Sequence, residues 1–98
     1  MIQIKHEYLK SIDSTNNEIK RRAIKGAEEG QVISAGMQTA GRGRSGHQWE
    51  TPADISIATS LLLRPTMPVE QLHSLTLVAA VAVRRAIEGL YDIETWIK

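Results

Sequence analysis

Residues 41–49 have the types and spacing best suited to chemistry in this chain. Three glycines and two arginines fall within residues 41–46, and Trp49 follows three residues later. An arginine side chain can hydrogen-bond a carboxylate or a phosphate through two parallel N–H groups, and glycine lets the backbone approach a bound group closely. The spacing therefore predicts a local anion-binding loop, with Trp49 as a stacking lid or a hydrophobic anchor.

Two common phosphate-binding motifs do not fit this loop. Gly36 and Gly41 have the outer spacing of a Walker A loop, but Arg42-Gly43 stands where Lys-Ser/Thr must reach phosphate and magnesium. The glycines at 41, 43 and 46 match the dinucleotide fingerprint, but residues 47–52 do not open a helix. A solvated surface loop and an RNA-binding arginine–glycine tail stay open on spacing alone, although Trp49 argues against a tail.

Four short motifs carry a resemblance to a known family. They are Asp13-Ser14-Thr15-Asn16, Gln38-Thr39-Ala40, Gly41-Arg42-Gly43-Arg44-x-Gly46-x-x-Trp49, and Ile97-Lys98. In their order and separation they resemble the biotin–protein ligases (biotin–[acetyl-CoA-carboxylase] ligases), over essentially all 98 residues. The loop motif is the most specific of the four. The resemblance implies the fold that these ligases share with lipoate ligases and class II aminoacyl-tRNA synthetases.

The resemblance implies a two-step ligase reaction with biotin and ATP as substrates. The carboxylate of biotin would attack the α-phosphorus of ATP to give biotinyl-5′-AMP, and a lysine of biotin carboxyl carrier protein would take the acyl group. Mg²⁺ is expected with ATP, and no protein ligand for it is visible in the chain. Closely placed cations suit this reaction because it brings two anions together, and a loop folded over the adenylate keeps water away.

The resemblance also assigns a role to individual residues. The catalytic set is Arg42, Arg44 and Lys98. The biotin-binding set is Ser14, Thr15, Asn16, Gln38, Gly41, Arg42, Gly43, Arg44 and Lys98. The resemblance assigns closure of the loop over the adenylate to Gly46, His47 and Trp49.

Simpler roles exist for several of these residues. Without the resemblance, Ser14 and Thr15 are helix-capping residues, Gln38 is an exposed loop residue and Trp49 is part of the core. The histidines at 6, 47 and 73 do not have metal-ligand spacing, so no protein metal site is predicted.

Composition narrows the class of protein further. The formal net charge of +1 is too small to favour general attraction to nucleic acids or membranes. The chain contains no cysteine, which excludes disulfides and thiolate metal sites and fits a cytoplasmic location. No signal peptide and no membrane-spanning run is visible. We therefore expect a cytoplasmic protein that binds neither nucleic acid nor membrane.

The hydrophobic periodicity predicts an α+β fold, a mixed β-sheet with packed helices in the order β-α-β-β-α-β. Strands are predicted at residues 1–9, 31–36, 54–63 and 91–98, with 37–53 as a loop. The third strand carries large residues at 55, 57, 61 and 63, and is predicted to be central with both faces covered.

Two helices are predicted between these strands. The first begins near Asn16 with Thr15 and Glu18 as a capping box, and Gly26 or Gly30 ends it. Its predicted apolar stripe consists of Ile19, Ala23, Ile24 and Ala27. The second helix is predicted at residues 69–90.

The resemblance implies that residues 1–98 are the N-terminal part of a ligase catalytic domain, incomplete at its C-terminus. Lys98 stands where the family has the first residue of Lys-Trp-Pro-Asn-Asp, and we expect neither a DNA-binding domain nor a C-terminal barrel domain in the chain. Because half of a preorganised site would be missing, we do not expect these residues to complete the reaction alone. Open strand edges and an open apolar face at residues 78–83 favour a homodimer or an edge-paired oligomer.

Two alternatives to a biotin ligase remain. One is a non-catalytic ligand-binding or oligomerising portion that keeps the fold without turnover. The other is a relative of the lipoate or octanoyl ligases and transferases, which the Gly-Arg-Gly-Arg loop disfavours because that loop is a biotin-ligase feature.

His47 departs from the family's loop motif, which usually has arginine there. Histidine is shorter and mostly neutral at pH 7, so it should hold the closed loop less firmly. We predict that His47→Arg slows the dissociation of biotinyl-5′-AMP by about two- to fivefold, the range expected for one exposed ion pair. The rate is measured with labelled adenylate, with His47→Gln as an uncharged control. An unchanged dissociation rate in His47→Arg would contradict the role of this position.

Overall fold

The computed structural model describes residues 2–42, 48–51, 53 and 55–97. The chain divides into two compact units, Met1–Arg64 and Pro65–Lys98. The elements in chain order are β1 (Lys5–Leu9), α1 (Thr15–Ile24), β2 (Gln31–Ala35), β3 (Gln38–Arg42), β4 (Gln48–Thr51), β5 (Ala58–Leu61), a 3₁₀ turn (Val69–Gln71) and α2 (Ser74–Leu90). The α+β class, with a mixed sheet and helices, is confirmed.

The first unit is built on a three-stranded sheet in the order β1-β2-β5. β1 runs parallel to β2, and β5 runs antiparallel to it. A parallel pair needs a crossover connection, and α1 supplies it between β1 and β2. β3 and β4 form a separate antiparallel pair.

The core of this unit lies between α1 and the sheet. Ile19 of α1 packs with Ile33 of β2 and with Leu62, and Ile33 is fully buried. Leu9, Ala23 and Ala27 pack around them. The stripe predicted for the first helix is therefore right at residues 19, 23 and 27 but wrong at Ile24, which is 87% exposed.

The start of α1 differs by one residue from the predicted capping box. Ser14 is the N-cap, and its side chain accepts a hydrogen bond from the backbone N–H of Asn17. Thr15 is already helical, and Glu18 pairs with Arg21 and Arg22 instead of closing a box. Two adjacent hydroxyl residues both fit an N-cap, so the sequence pattern could not separate them.

The end of α1 is fixed by Gly26, one of the two predicted stops. Gly26 has a φ of +90°, and its N–H donates to Ala23 O while the N–H of Ala27 donates to Arg22 O. This is a Schellman motif, in which a residue with positive φ closes the last turn of a helix. Gly30, also at positive φ, precedes β2, and a Cβ there would lie 2.2 Å from the carbonyl oxygen of Gln3.

Arg64 completes the end of α1 from a distant part of the chain. Its guanidinium donates from Nη2 to Ala23 O at 3.1 Å and to Ala27 O at 2.7 Å, and from Nε to Ala27 O at 3.1 Å. Its backbone N–H donates to Glu29 Oε1 at 2.9 Å. A cation at the C-terminal end of a helix interacts favourably with the helix dipole and with the carbonyls left without intrahelical partners.

Two predictions for residues 37–63 are wrong: the central strand at 54–63 and the loop at 37–53. The predicted central strand at residues 54–63 is the shorter β5, which lies at the edge of the sheet. Its buried positions are Ala58, Ser60 and Leu62, whereas Ile55 and Ile57 are exposed. Residues 37–53 were predicted as a loop, but β3 and β4 lie within them. Residues 38–42 have no apolar alternation, so the pattern on which strand prediction depends is missing there.

The last predicted strand, at residues 91–98, is also corrected. The described residues 91–97 contain no strand. Thr95 uses both its backbone N–H and its hydroxyl to donate to Glu88 Oε2, each at 2.9 Å, which ties this segment to the end of α2. A backbone N–H that donates to a carboxylate cannot also donate to a neighbouring strand. The described order of α-helices and strands is therefore β-α-β-β-β-β-α rather than β-α-β-β-α-β.

The second unit is dominated by α2, which begins five residues later than predicted because a 3₁₀ turn occupies Val69–Gln71. α2 has no buried residue among those described. Leu77, Val78 and Val83 are 61%, 60% and 57% exposed, as expected for the open apolar face predicted at residues 78–83. None of the helices in the described part of the chain is long and apolar enough to cross a lipid bilayer.

The contacts of Arg64 lead to a prediction about stability. Replacing Arg64 by methionine removes three hydrogen bonds to the end of α1, so we expect the free energy of unfolding to fall by about 1 kcal/mol. Lys20→Met removes an exposed cation from α1 and should change the free energy of unfolding by less than about 0.5 kcal/mol. Denaturant unfolding of both variants gives the comparison. Equal effects would show that Arg64 does not stabilise the helix end.

Candidate functional site

The segment before α1 lies alongside the start of β3. The backbone N–H of Ile12 donates to Met37 O at 3.1 Å, and the N–H of Thr39 donates to Ile12 O at 3.0 Å. The N–H of Ala40 donates to Asp13 O at 2.7 Å. These bonds form a short parallel bridge between Ile12 and β3, and they bring the N-terminus of α1 next to the first residue of that strand.

The N-terminus of α1 is buried, and side chains bind its backbone N–H groups. The first N–H groups of a helix have no partner within the helix and must find one elsewhere. Ser14 Oγ accepts from the N–H of Asn17 at 3.2 Å, and Gln38 Oε1 accepts from the N–H of Thr15 at 2.8 Å. Ser14 and Thr15 are only 6% and 4% exposed. Gln38, which the resemblance assigns to the same set as Ser14 and Thr15, therefore lies beside them in the structure, in a strand and not in the predicted loop.

Ser60 of β5 completes this cluster, and sequence reasoning missed it. Its hydroxyl lies 2.9 Å from Thr15 Oγ1 and is also hydrogen-bonded to Asn16 Oδ1. A serine hydroxyl has one hydrogen, and an amide oxygen only accepts, so both bonds form together when Thr15 donates to Ser60 and Ser60 donates to Asn16. Ser60 is 8% exposed. The available signal was its alternation with Ala58 and Leu62, which says nothing about a polar partner.

We call Ser14, Thr15, Asn16, Gln38 and Ser60 the polar corner. Its five side chains are neutral, and they come from three elements that meet at one end of the sheet. Hydroxyl and amide groups both donate and accept hydrogen bonds, so this cluster can bind a small uncharged polar group in a largely buried place.

Asp13 provides the negative charge nearest to the polar corner in sequence. Arg21 donates to its carboxylate from Nη1 at 3.0 Å and from Nη2 at 2.8 Å, and Asn17 Nδ2 donates to it at 3.4 Å. The hydrogen bonds from Arg21 hold the pKa of Asp13 well below its usual value, and the backbone N–H of Ser14 adds to this effect. Asp13 is therefore ionised and paired at neutral pH.

The glycine–arginine motif lies on β3 and β4 where it is described. Gly41 is buried in β3 and stands opposite Trp49 of β4, and Arg42 stands opposite Gln48. Five predicted site residues lie outside the described residues: Gly43, Arg44, Gly46, His47 and Lys98. So do the side chains of Arg42 and Trp49. The predicted site residues that the structure brings together are Ser14, Thr15, Asn16 and Gln38, with Gly41 three residues further along β3.

A metal site built from this chain's side chains finds no support in the described part of the structure. Within it, no three His, Asp or Glu side chains lie close enough together to hold a metal ion. The candidate site is thus a neutral polar corner followed, along β3, by a segment that carries arginine.

Comparison with known proteins identifies several similar chains. A family model described as the biotin/lipoate A/B protein ligase family matches residues 8–98. The bifunctional ligase/repressor BirA of Bacillus subtilis (strain 168) is 41% identical over 95 residues, which are 97% of this chain and 28% of that protein. The biotin–[acetyl-CoA-carboxylase] ligase of Mycobacterium tuberculosis is 38% identical over 82 residues, which are 82% of this chain and 31% of that protein.

One solved structure is similar at the level of the fold and the sequence. The biotin protein ligase of Leishmania major, in complex with biotinyl-5-AMP, matches with a TM-score of 0.67 and 27% identity. The match covers 84% of this chain and 33% of that one. The chain thus spans about a third or less of the length of each of these three relatives.

The role of Ser60 can be tested through stability. Ser60→Ala leaves the buried Thr15 hydroxyl and the Asn16 amide oxygen without this partner, so we expect a loss of about 1–3 kcal/mol in the free energy of unfolding. Ser56→Ala makes the same change at an exposed position and should cost less than about 0.5 kcal/mol. Denaturant unfolding measures both variants. If Ser60→Ala and Ser56→Ala lower the free energy of unfolding equally, the hydrogen bonds of Ser60 do not stabilise the polar corner.

Proposed function

Because the chain belongs to the biotin/lipoate A/B protein ligase family, we propose that it binds biotin and contributes to joining biotin to a carrier protein. The resemblance to biotin–protein ligases read from its motifs is confirmed by the family model and by relatives that are named as such ligases. Since the chain spans only part of their length, the reaction, its substrates and its partners are proposed here for the activity to which the chain contributes.

The proposed reaction is the ATP-dependent formation of biotinyl-5′-AMP followed by transfer of biotin to a lysine, as in a biotin–[acetyl-CoA-carboxylase] ligase. The relative from Leishmania major is named as a complex with biotinyl-5-AMP, which supports an adenylate intermediate. Biotin carboxyl carrier protein is the proposed acceptor. Mg²⁺ would arrive with the phosphates of ATP.

The polar corner is the observation that carries this proposal. The ring of biotin ends in a neutral ureido group, which has two N–H donors and one carbonyl acceptor. The uncharged hydroxyl and amide side chains of the polar corner match such a group, because each can donate or accept as the ligand requires. Ser14, Thr15, Asn16 and Gln38 are therefore proposed to hold the ureido end of biotin.

The position of the glycine–arginine segment fits the other end of the ligand. Arg42 follows Gln38 by four residues in β3, which corresponds to about 13 Å along an extended strand. This length is comparable to that of an extended biotin molecule. Arg42 and Arg44 are proposed to neutralise the carboxylate and the phosphate, with Gly41 and Gly43 allowing close backbone contact. Lys98 is proposed to contact the same anions.

Gly46, His47 and Trp49 are proposed to close over the adenylate. Trp49 stands opposite Gly41 in the β3–β4 pair, so the residues between them connect two paired strands. A connection of that kind can fold over a bound adenylate while its ends stay fixed, which limits the access of water to the mixed anhydride.

The remaining expectations about partners and location also stand as proposals. β1 and β5 each pair with one neighbour in the described sheet, and an unpaired strand edge can accept a strand of a second copy. This favours a homodimer or an edge-paired oligomer. A cytoplasmic location and the absence of nucleic-acid binding remain predictions, and one of the relatives is named a ligase/repressor.

Lipoate is a poorer fit to the polar corner than biotin. Its dithiolane ring has no N–H donor and no carbonyl acceptor, so it cannot exchange hydrogen bonds with the hydroxyl and amide groups of the polar corner. A polar site usually discriminates strongly against a ligand that lacks the matching groups. A non-catalytic portion that oligomerises without binding either ligand is the third alternative.

Calorimetric titration of the chain with biotin, lipoate and ATP separates these alternatives, and Gln38→Glu tests the site. Glutamate keeps the oxygen that accepts from the Thr15 N–H but loses the amide donor, so the fold should persist. We expect biotin binding at least about tenfold weaker, since a buried hydrogen bond is lost. Gln31→Glu makes the same change at the start of β2 and should leave the affinity unchanged.

Three results would count against the proposal. Tighter binding of lipoate than of biotin would favour the lipoate alternative. Binding of none of the three compounds would favour the oligomerising portion. Equal biotin affinities for Gln38→Glu and Gln31→Glu would remove the polar corner from the biotin site.

A further inference from the structure

A chain of ion pairs runs along the exposed side of α1 and reaches both neighbouring segments. Arg21 contacts Asp13 and Glu18, and Arg22 contacts Glu18 and Glu7. Each arginine makes a two-pronged contact with one carboxylate outside the helix, Asp13 for Arg21 and Glu7 for Arg22. The two arginines therefore have nearly the same bonding but connect α1 to different places.

Arg21 connects α1 to the segment that leads into the polar corner. Asp13 directly precedes Ser14, and its backbone carbonyl accepts from the N–H of Ala40 in β3 at 2.7 Å. The side chain of Asp13 is thus held by the helix, while its backbone is held by the strand. A two-pronged contact between arginine and carboxylate fixes orientation as well as distance.

Arg22 has no such connection to β3. Its partner Glu7 lies in the middle of β1, where residue 7 is in register with Ile33 of β2. The ion pair therefore joins α1 to the sheet at a point away from Asp13 and Ala40. Loss of either arginine removes similar electrostatic stabilisation of α1, but only loss of Arg21 removes the two-pronged contact with the side chain of Asp13.

We propose that Arg21 is a positioning residue for the biotin site, because its contact with Asp13 holds the Ser14–Thr15 start of α1 in register with β3. Gln38, Gly41 and Arg42 all belong to β3, so this contact sets where Ser14 and Thr15 lie relative to these three residues. The inference rests on the proposed function, and it adds a residue that none of the four sequence motifs contains.

The pKa of Asp13 is consistent with this role. The side-chain hydrogen bonds from Arg21 lower it far below the usual value of an aspartate. The other charged group that Arg21 contacts is Glu18 on its own helix, whose pKa is also lowered, first by Arg22 and then by Arg21. At neutral pH all members of the cluster are therefore charged.

Arg21→Met and Arg22→Met, compared in the full chain, test the proposal. We expect Arg21→Met to weaken biotin binding by about two- to fivefold, the range of one partly exposed ion pair, and Arg22→Met to leave it unchanged. Thermal unfolding should show similar losses for both, because each variant removes one two-pronged contact and one contact with Glu18. Arg21→Lys keeps the charge but not the two-pronged geometry, so its affinity should fall between the wild type and Arg21→Met.

Amide hydrogen exchange gives a second measurement that needs no ligand. The N–H groups of Thr39 and Ala40 donate to Ile12 and Asp13, so they report directly on the contact between this segment and β3. We expect both amides to exchange about two- to fivefold faster in Arg21→Met than in Arg22→Met. Asp13→Asn breaks the same ion pair from the other side and should reproduce the effect, with little further change in the double variant.

The outcomes separate the inference from the proposed function. Biotin binding by the wild type with equal affinities for Arg21→Met and Arg22→Met would overturn the role of Arg21 and leave the proposed function intact. Absence of biotin binding by the wild type would overturn both. Unchanged exchange of Thr39 and Ala40 in Arg21→Met would overturn the inference whatever the affinities are.

Discussion

The buried N-terminus of α1 is the constraint on which the arrangement of the first unit depends. The first N–H groups of a helix have no acceptor within the helix. Burying them without partners would cost more free energy than the nearby apolar contacts contribute. Gln38 and Ser14 supply acceptors for two of these groups. Every buried side-chain nitrogen or oxygen in the described residues has a partner. Because hydrogen bonds are directional, the helix end is fixed more tightly than a small apolar core around Ile33 could fix it.

The structural and functional roles of the Ser-Thr motif are therefore not in competition. From the sequence, helix capping and ligand binding were already compatible explanations of Ser14 and Thr15. In the structure Ser14 caps the helix through its side chain, while Thr15 uses its backbone N–H for Gln38 and its hydroxyl for Ser60. A helix end that must be lined with neutral hydrogen-bonding groups is already a suitable place for a neutral polar ligand.

Sequence patterns predicted the features that depend on residues close together in the chain. The start of α1 was predicted within one residue, and its end lies at Gly26, one of the two predicted stops, because hydroxyl caps and a glycine at positive φ act within a single turn. The structure brings Gln38 to the backbone of Thr15, 23 residues away, and the resemblance had assigned both to one set. β3 and β4 were missed because their sequence has no apolar alternation and their pairing depends on each other and on Ile12. Ser60 and Arg64 could not be found from sequence, since their partners lie at least 44 and at least 35 residues away, respectively.

The prediction that both faces of the strand at residues 54–63 are covered is wrong for the same physical reason that the polar corner forms. Large residues usually mark the buried face of a strand, and here the buried face carries Ala58 and Ser60, with Ala35 opposite Ala58 on β2. Thr15 and Asn16 reach Ser60 through hydrogen bonds, so the backbone of α1 must lie close to the sheet at this end. A large side chain at residue 58 or 60 would push the helix away and break those bonds. Small residues are therefore required where the helix end meets the sheet. The apolar core of Ile19, Ile33 and Leu62 begins directly beside Ser60, whose partner on β2 is Ile33.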